Sequence, residues 1–381
     1  MDSPVVVVGA GLAGTSVVRE LRKLDPEVSV VVVSADRADI YAKPNLSNAL
    51  ASGKEPAALV QSSGADWAAK NGATLLSDTR IDRLDRDRRV LVTDRGEIAY
   101  GKLVLAVGAS PVRLALAGDG VDRIRSVNSL ADYAGFRQDL SGAGSVAVIG
   151  GGLVGCEFAD DLRAAGLQVV VFDPGTHPLG RLIPAGIGSW MREALEGAGI
   201  RFVAGTGVLE AHREGAGLRL VDTKGATHLV DAVLSAVGLR PNLELARSAG
   251  LSVNRGIVVD RYLRTTDPDI HALGDCAEVE GLVLPFVQPI LHAARALAKT
   301  LSGTPTELRY PAMPVVVKTP SAPLVVCPPP IGSEGEWREE PSGSGRVAVF
   351  RDPSSKPLGF ALAGEATKEK GAWAAKIPDW L

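Results

Sequence analysis

Cysteine is scarce: Cys156, Cys276 and Cys327 are scattered through 381 residues, with no C-x-x-C or C-x4-C pair among them. An odd, dispersed set excludes a disulfide framework and fits a reducing compartment, with buried packing as the expected role. Histidine is equally sparse, and His177, His212, His228, His271 and His292 fall at no metal-ligand spacing, so no metal is expected. An excess of one charge is also missing. Lys and Arg number 41 against 44 Asp and Glu, a net charge of -3, which lacks the basic field that a nucleic-acid binder needs. Nowhere do ~18 apolar residues run together, so no membrane insertion is expected. The opening Met1-Asp2-Ser3-Pro4 has neither the basic region nor the long apolar region of a secretory signal, which points to a cytoplasmic protein. No solenoid repeat or low-complexity segment is present.

Glycine, in contrast, is abundant, with 43 residues, and implies many tight turns and close backbone approaches. Hydrophobic residues at 46% and charged residues at 22% describe an ordinary globular chain, long enough for two or three domains. Val5 to Val8 reads as a buried strand, Ala13 to Leu24 as a helix and Val28 to Val33 as a second strand. The turn between the first strand and the helix is Gly9-Ala10-Gly11-Leu12-Ala13-Gly14, a G-x-G-x-x-G in a βαβ setting, where pyrophosphate oxygens can meet helix N-terminal amides. The pattern recurs with Val146 to Ile149, Gly150-Gly151-Gly152-Leu153-Val154-Gly155, a helix to Ala165 and a strand Val169 to Phe172. Two such units imply two nucleotides.

Asp173 closes the second unit, 21 residues after Gly152, where a carboxylate can accept ribose hydroxyls and repel a 2'-phosphate; a solvated strand-end carboxylate is the competing reading. Two apolar strands run into glycine turns, Leu103 to Ala109 and Val233 to Leu239. Each is soon followed by a proline, Pro111 or Pro241, as expected where the chain changes domain. Gly256 to Asp260 and Ile270 to Leu273 read as further strands, with Gly274-Asp275 at the carboxyl end and a helix expected from about Pro289 to Leu301. After Tyr310, prolines, short apolar runs, a Gly/Ser loop near Ser342 to Gly345 and a strand Arg346 to Phe350 suggest an antiparallel third domain.

This order of motifs resembles the two-dinucleotide flavoprotein disulfide reductase superfamily over essentially the whole chain. The segments Gly155-Cys156-Glu157-Phe158-Ala159, Leu273-Gly274-Asp275-Cys276-Ala277-Glu278-Val279 and Pro314-Val315-Val316-Val317-Lys318-Thr319-Pro320 resemble, more narrowly, the rubredoxin:NAD reductases. Where the superfamily's disulfide reductases carry a redox cysteine pair, this chain reads Tyr41-Ala42-Lys43-Pro44-Asn45-Leu46-Ser47-Asn48, like the branch that serves one-electron carriers.

The resemblance implies an α/β fold with two Rossmann-like dinucleotide-binding domains and a small C-terminal α+β domain. Residues 1-110 and 240-310 would bind FAD, 111-239 NADH, and 311-381 would cover the flavin and help dock the carrier. It implies tightly bound, non-covalent FAD, NADH as co-substrate and rubredoxin as partner, with an alkane hydroxylase downstream. Flavorubredoxin or the ferredoxin of an oxygenase system are alternative carriers, and an NADH-sensing interaction switch is the reading from another class. A two-electron donor and a one-electron iron acceptor need a flavin between them. Lys43 and Glu157 are expected as a buried ion pair beside flavin N5, and Lys318 as a cation approaching from the C-terminal domain.

FAD contacts are expected from Gly9, Ala10, Gly11, Leu12, Ala13, Gly14, Ser34, Ala35, Asp36, Ile81, Gly274, Asp275 and Val287, and NADH contacts from Gly150, Gly152, Gly155 and Asp173. Asp36 stands 25 residues after Gly11, later than the usual ~20, so its direct ribose contact stays open while Ser34 and Ala35 border the AMP ribose. An acidic carrier would favour a basic docking patch, but from Arg309 to Leu381 the basic and acidic residues nearly balance.

Overall fold

The computed structural model describes residues 3–340 and 345–381. The expected Gly/Ser loop falls largely outside the described residues. The strand Val5–Val8 is buried along its whole length, as an all-valine run in a parallel sheet should be. It lies between Val30–Val33 and Lys102–Leu105, with Thr74–Leu76 and Ile270–Ala272 at the two edges, and every pairing is parallel. A second five-stranded parallel sheet has Ser145–Ile149 at its centre, between Ala232–Ser235 and Gln168–Asp173, and is completed by Ile124–Arg125 and Ile200–Ala204. The first sheet takes its edge strand from beyond the second, so the chain crosses between the two sheets twice. The crossings run side by side, as Ala109–Pro111 pairs antiparallel with Leu239–Pro241.

The third unit is an antiparallel sheet ordered Val315–Val317, Leu324–Cys327, Pro357–Ala363, Arg346–Arg351 and Glu336–Glu340. The short helix Lys370–Ala374 follows it. The core also crosses sequence boundaries. One cluster joins Val146, Phe158 and Ile187 of the second unit to Leu46 and Ala49 of the first and to Val317, Leu324 and Ala361 of the third. None of the described helices is long and apolar enough to cross a membrane.

Two element boundaries differ from expectation by two residues. The second strand begins at Val30 instead of Val28, because Asp25 Oδ1 accepts the amides of Glu27 and Val28 and holds that stretch in a turn. The helix expected from Pro289 runs Val287–Leu301, with the proline inside its first turn, where no N–H is missed.

Candidate functional site

Both glycine turns lie at the carboxyl ends of central strands, where ligands of open α/β sheets bind. Gly9 has φ +106°, and a Cβ on Gly14 would lie 2.0 Å from Gly9 O, so the strand and the helix Leu12–Leu24 meet backbone to backbone. The second turn repeats this. Gly150 has φ +109°, and a Cβ on Gly155 would fall 1.9 Å from Gly150 O at the start of the helix Leu153–Ala164. The middle glycines behave differently, since a Cβ on Gly11 or Gly152 meets nothing within 4 Å. Each caps its helix without a side-chain acceptor, and neither first turn holds an acidic residue. Helix N-terminal amides facing open space, with no acidic residue in either helix's first turn, fit a pyrophosphate at both turns. Leu12 and Val154, 38% and 47% exposed, are apolar side chains at these two mouths.

Around the first turn, Gly274 takes φ +81° and comes so close to Ala13 that a Cβ there would sit 2.8 Å from the alanine Cβ. The neighbouring Asp275 carboxyl is pushed up by burial and drawn down by the Lys43 charge, so these two residues face one another electrostatically. Val287, half exposed, opens the helix Val287–Leu301. Ser34 follows the strand next to Val5–Val8, and its carbonyl accepts the Thr79 amide at 2.8 Å, which brings the segment before Ile81 alongside. Ile81 packs, partly buried, against the first core. Asp36 Oδ1 accepts the Ser34 hydroxyl at 2.7 Å and the Ala38 amide at 2.9 Å, so this carboxylate closes its own turn.

At the second turn, Asp173 Oδ2 accepts the Gly151 amide at 2.5 Å and Oδ1 the Gly175 amide at 2.6 Å. The carboxylate is fixed in the mouth of the turn, with lone pairs left for a hydroxyl. Cys156 and Cys276, beside the two turns, are fully buried. Burial pushes the Cys276 thiol up to about 11 and the Cys156 thiol well above its ordinary value. Protonated thiols that donate to nearby carbonyls have the expected packing role.

The expected Lys43–Glu157 pair is corrected by the structure. Glu157, 7% exposed, is instead bound by Lys318: Lys318 Nζ forms an ion pair with Oε2, and the Lys318 amide donates to Oε1 at 3.0 Å. Ser47 completes the cluster, donating to Glu157 Oε2 at 2.6 Å and accepting from Lys318 Nζ at 2.7 Å. Lys43 is exposed and donates to Asn128 Oδ1 at 3.3 Å, and Asn128 in turn donates to Ala109 O at 2.8 Å. The physical reason is competition: a strand entering from the C-terminal unit brings both an amide and an ammonium to the glutamate, while Lys43 starts a 3-10 turn, Lys43–Asn48, that presents Ser47 inward.

Ser47, Asn128 and Asp161 were not singled out from the sequence. Asp161, four residues after Glu157 on the same helix, accepts the Leu50 and Ala51 amides at 2.9 and 3.0 Å. Acidic residues at helical spacing, in a stretch otherwise fit for burial, were the signal available for it.

The comparisons with known proteins agree with this geometry. The family model described as pyridine nucleotide-disulphide oxidoreductase matches residues 3–298, and that described as rubredoxin binding C-terminal domain matches residues 307–377. A rubredoxin-NAD(+) reductase of Acinetobacter baylyi is 44% identical, over 99% of this chain and 98% of its own. One from Alcanivorax borkumensis is 42% identical, over 98% of each. Among solved structures, the ferredoxin reductase for the CYP199A2 system of Rhodopseudomonas palustris superposes with a TM-score of 0.89 at 28% identity, over 99% of this chain and 96% of that one. Two glycine turns on two parallel sheets and a match spanning both lead to one assignment: the chain belongs to the pyridine nucleotide-disulphide oxidoreductase family, whose members use FAD and a nicotinamide dinucleotide.

Proposed function

We propose that this protein is an NADH-dependent flavoprotein oxidoreductase that passes electrons through FAD to rubredoxin. In balance, one NADH reduces two rubredoxin irons and releases one proton. The observation that carries the reading is the convergence of three parts of the chain on Glu157: the helix of the second glycine turn, the Lys43–Asn48 turn and the first strand of the C-terminal unit. That unit is also the part that matches the rubredoxin-binding model.

The reading assigns FAD to residues 1-110 with 240-310, NADH to 111-239 and carrier docking to 311-381. Gly9 to Gly14 would take the FAD pyrophosphate on the amides of the first helix, bordered by Ser34, Ala35, Ile81, Gly274, Asp275 and Val287. Gly150 to Gly155 would take NADH, and Asp173 would accept its ribose hydroxyls. FAD bound there supplies the exchange of a hydride for single electrons. Lys318 and Lys43 would supply positive charge near the flavin, favouring its anionic reduced form. Glu157 keeps Lys318 in one orientation, and Ser47 fixes the rotamers of both. The cytoplasm is the proposed location, in keeping with three free, buried thiols. Rubredoxin reduced here would supply an oxygenase such as an alkane hydroxylase.

A second reading, in which the carrier is a [2Fe-2S] ferredoxin, is favoured by the likeness to the ferredoxin reductase structure. The test is NADH-dependent reduction of rubredoxin and of a ferredoxin, side by side at two salt concentrations. Faster reduction of rubredoxin, slowed by salt, is the expected result. A ferredoxin preference would overturn the choice of carrier and leave the flavin chemistry standing.

A further inference from the structure

The helix Leu153–Ala164 buries an unusual face. Glu157, Asp160 and Asp161 are 7%, 3% and 7% exposed, and their spacing sets all three on one side of the helix. Glu157 belongs to the cluster already described. Asp160 Oδ2 accepts the Ser321 amide at a long 3.3 Å, and its Oδ1 has no partner.

Asp161 differs from Asp160 in geometry. Its two oxygens take two consecutive amides, Oδ2 that of Leu50 and Oδ1 that of Ala51. Only a carboxylate offers an acceptor on each arm; an asparagine in the same rotamer would point its NH2 at one of the amides. Burying a carboxylate is costly, and burial does raise the Asp161 carboxyl, against the pull of the two amides.

The gripped amides follow directly on the Lys43–Asn48 turn, which carries Lys43 at its start and Ser47 near its end. The gripping helix is capped by Gly152, the open middle glycine of the second glycine turn. Asp161 thus ties the segment bearing the groups assigned to the flavin side to the helix whose N-terminus is assigned to NADH. Hydride transfer depends steeply on the separation and alignment of donor and acceptor, and a shift of the order of 1 Å costs up to ~100-fold in rate.

We propose that Asp161 is a positioning residue: by holding the amides of Leu50 and Ala51 it fixes the Lys43–Asn48 turn against the NADH-side helix and so sets the register between the two cofactor sites. This role rests on the reading that NADH reduces FAD in this protein.

The test compares Asp161→Asn with Asp160→Asn, which removes an equally buried charge one residue away. In the cofactor-free protein, amide hydrogen exchange of the peptide containing Leu50 and Ala51 is expected to quicken about tenfold in Asp161→Asn and to stay as in wild type in Asp160→Asn. In the FAD-loaded protein, stopped-flow reduction at saturating NADH is expected to slow about tenfold or more in Asp161→Asn, with the NADH dissociation constant within about twofold and the flavin retained. Asp160→Asn should keep the wild-type rate.

Asp161→Glu retains the charge and both acceptors one methylene further out, and carries the test if the asparagine variant does not fold. Its expected signature is protected amides with slowed reduction. A wild-type reduction rate in a folded Asp161→Asn or Asp161→Glu variant overturns the proposal. So does unchanged exchange in Asp161→Asn. A wild-type holoprotein that NADH does not reduce removes the functional reading itself, and with it this role; that failure shows before any variant is made.

Discussion

The hydroxyl of Ser47 accepts a hydrogen bond from Lys318 Nζ at 2.7 Å while donating its own proton to Glu157 at 2.6 Å, joining residues 271 positions apart in sequence. A single small side chain therefore completes the coordination of both members of a largely buried ion pair. Ser47→Ala leaves each charge one partner short, which costs about 1–3 kcal/mol of stability. Urea unfolding should show that loss, together with slower reduction of the flavin by NADH. A wild-type midpoint would show that the hydroxyl is dispensable to the pair.

The pair itself predicts a non-additive result. Lys318→Met strands the Glu157 carboxylate in a site that is 7% exposed and should destabilise the fold by up to about 3 kcal/mol. Adding Glu157→Gln should recover much of that loss, since the stranded charge is then gone. A double variant as unstable as the sum of the singles would mean that the two side chains act independently.

The two kinds of glycine in each turn separate folding from binding. Gly155→Ala drives a Cβ into the Gly150 carbonyl and should lower the melting temperature of the cofactor-free protein. Gly152→Ala meets open space, so its melting temperature should hold while NADH binding weakens, because the methyl narrows the approach to the helix amides. Equal melting temperatures for the two variants would contradict this division.

His271 gives stability a pH dependence. It is 2% exposed in the edge strand Ile270–Ala272, with Nδ1 unpartnered, and burial pushes its pKa from the ordinary 6.5 down to about 4. Between those values the unfolded chain binds a proton that the folded chain refuses. Stability is therefore intact above about 6.5 and falls as the pH drops toward 4, with this residue responsible for ~3 kcal/mol of the loss. His271→Leu should flatten the pH dependence of the urea midpoint over that window, and an unchanged slope would remove His271 as its source.

Asp173→Ala should raise the KM for NADH and narrow its preference over NADPH, with FAD retained. Because the carboxylate also holds the amides of Gly151 and Gly175, a loss of about 1–2 kcal/mol in stability should accompany the kinetic change. Unchanged kinetics for both dinucleotides would leave Asp173 a purely structural carboxylate.

What could be read from the sequence follows a physical line. The glycine turns were legible because backbone geometry and periodicity are local: Gly14 and Gly155 are demanded by the close approach of Gly9 and Gly150 within their own βαβ units, and Gly9 and Gly150 by a positive φ. The Gly274-Asp275 segment was placed correctly at a strand end for the same reason. The partner of Glu157 was not legible, because choosing Lys318 over Lys43 requires knowing how the strand Val315–Val317 enters beside the helix Leu153–Ala164. The late start of the second strand was lost for a smaller reason: an aspartate-capped turn at Asp25 competes with strand pairing, and valine content alone hides it.

The first sheet cannot close in the order in which the chain is made. Leu103 waits for Ile270 as its neighbour, and between them lies the whole of the second sheet, whose strands are all in hand once Ser235 has been made. During synthesis the inner unit can therefore reach its folded state while Lys102–Leu105 still lacks its edge neighbour. A newly made chain should pass through a stage in which a folded inner unit is tethered to a four-stranded, valine-rich sheet with one open edge, and that edge is the place where a chaperone would be needed.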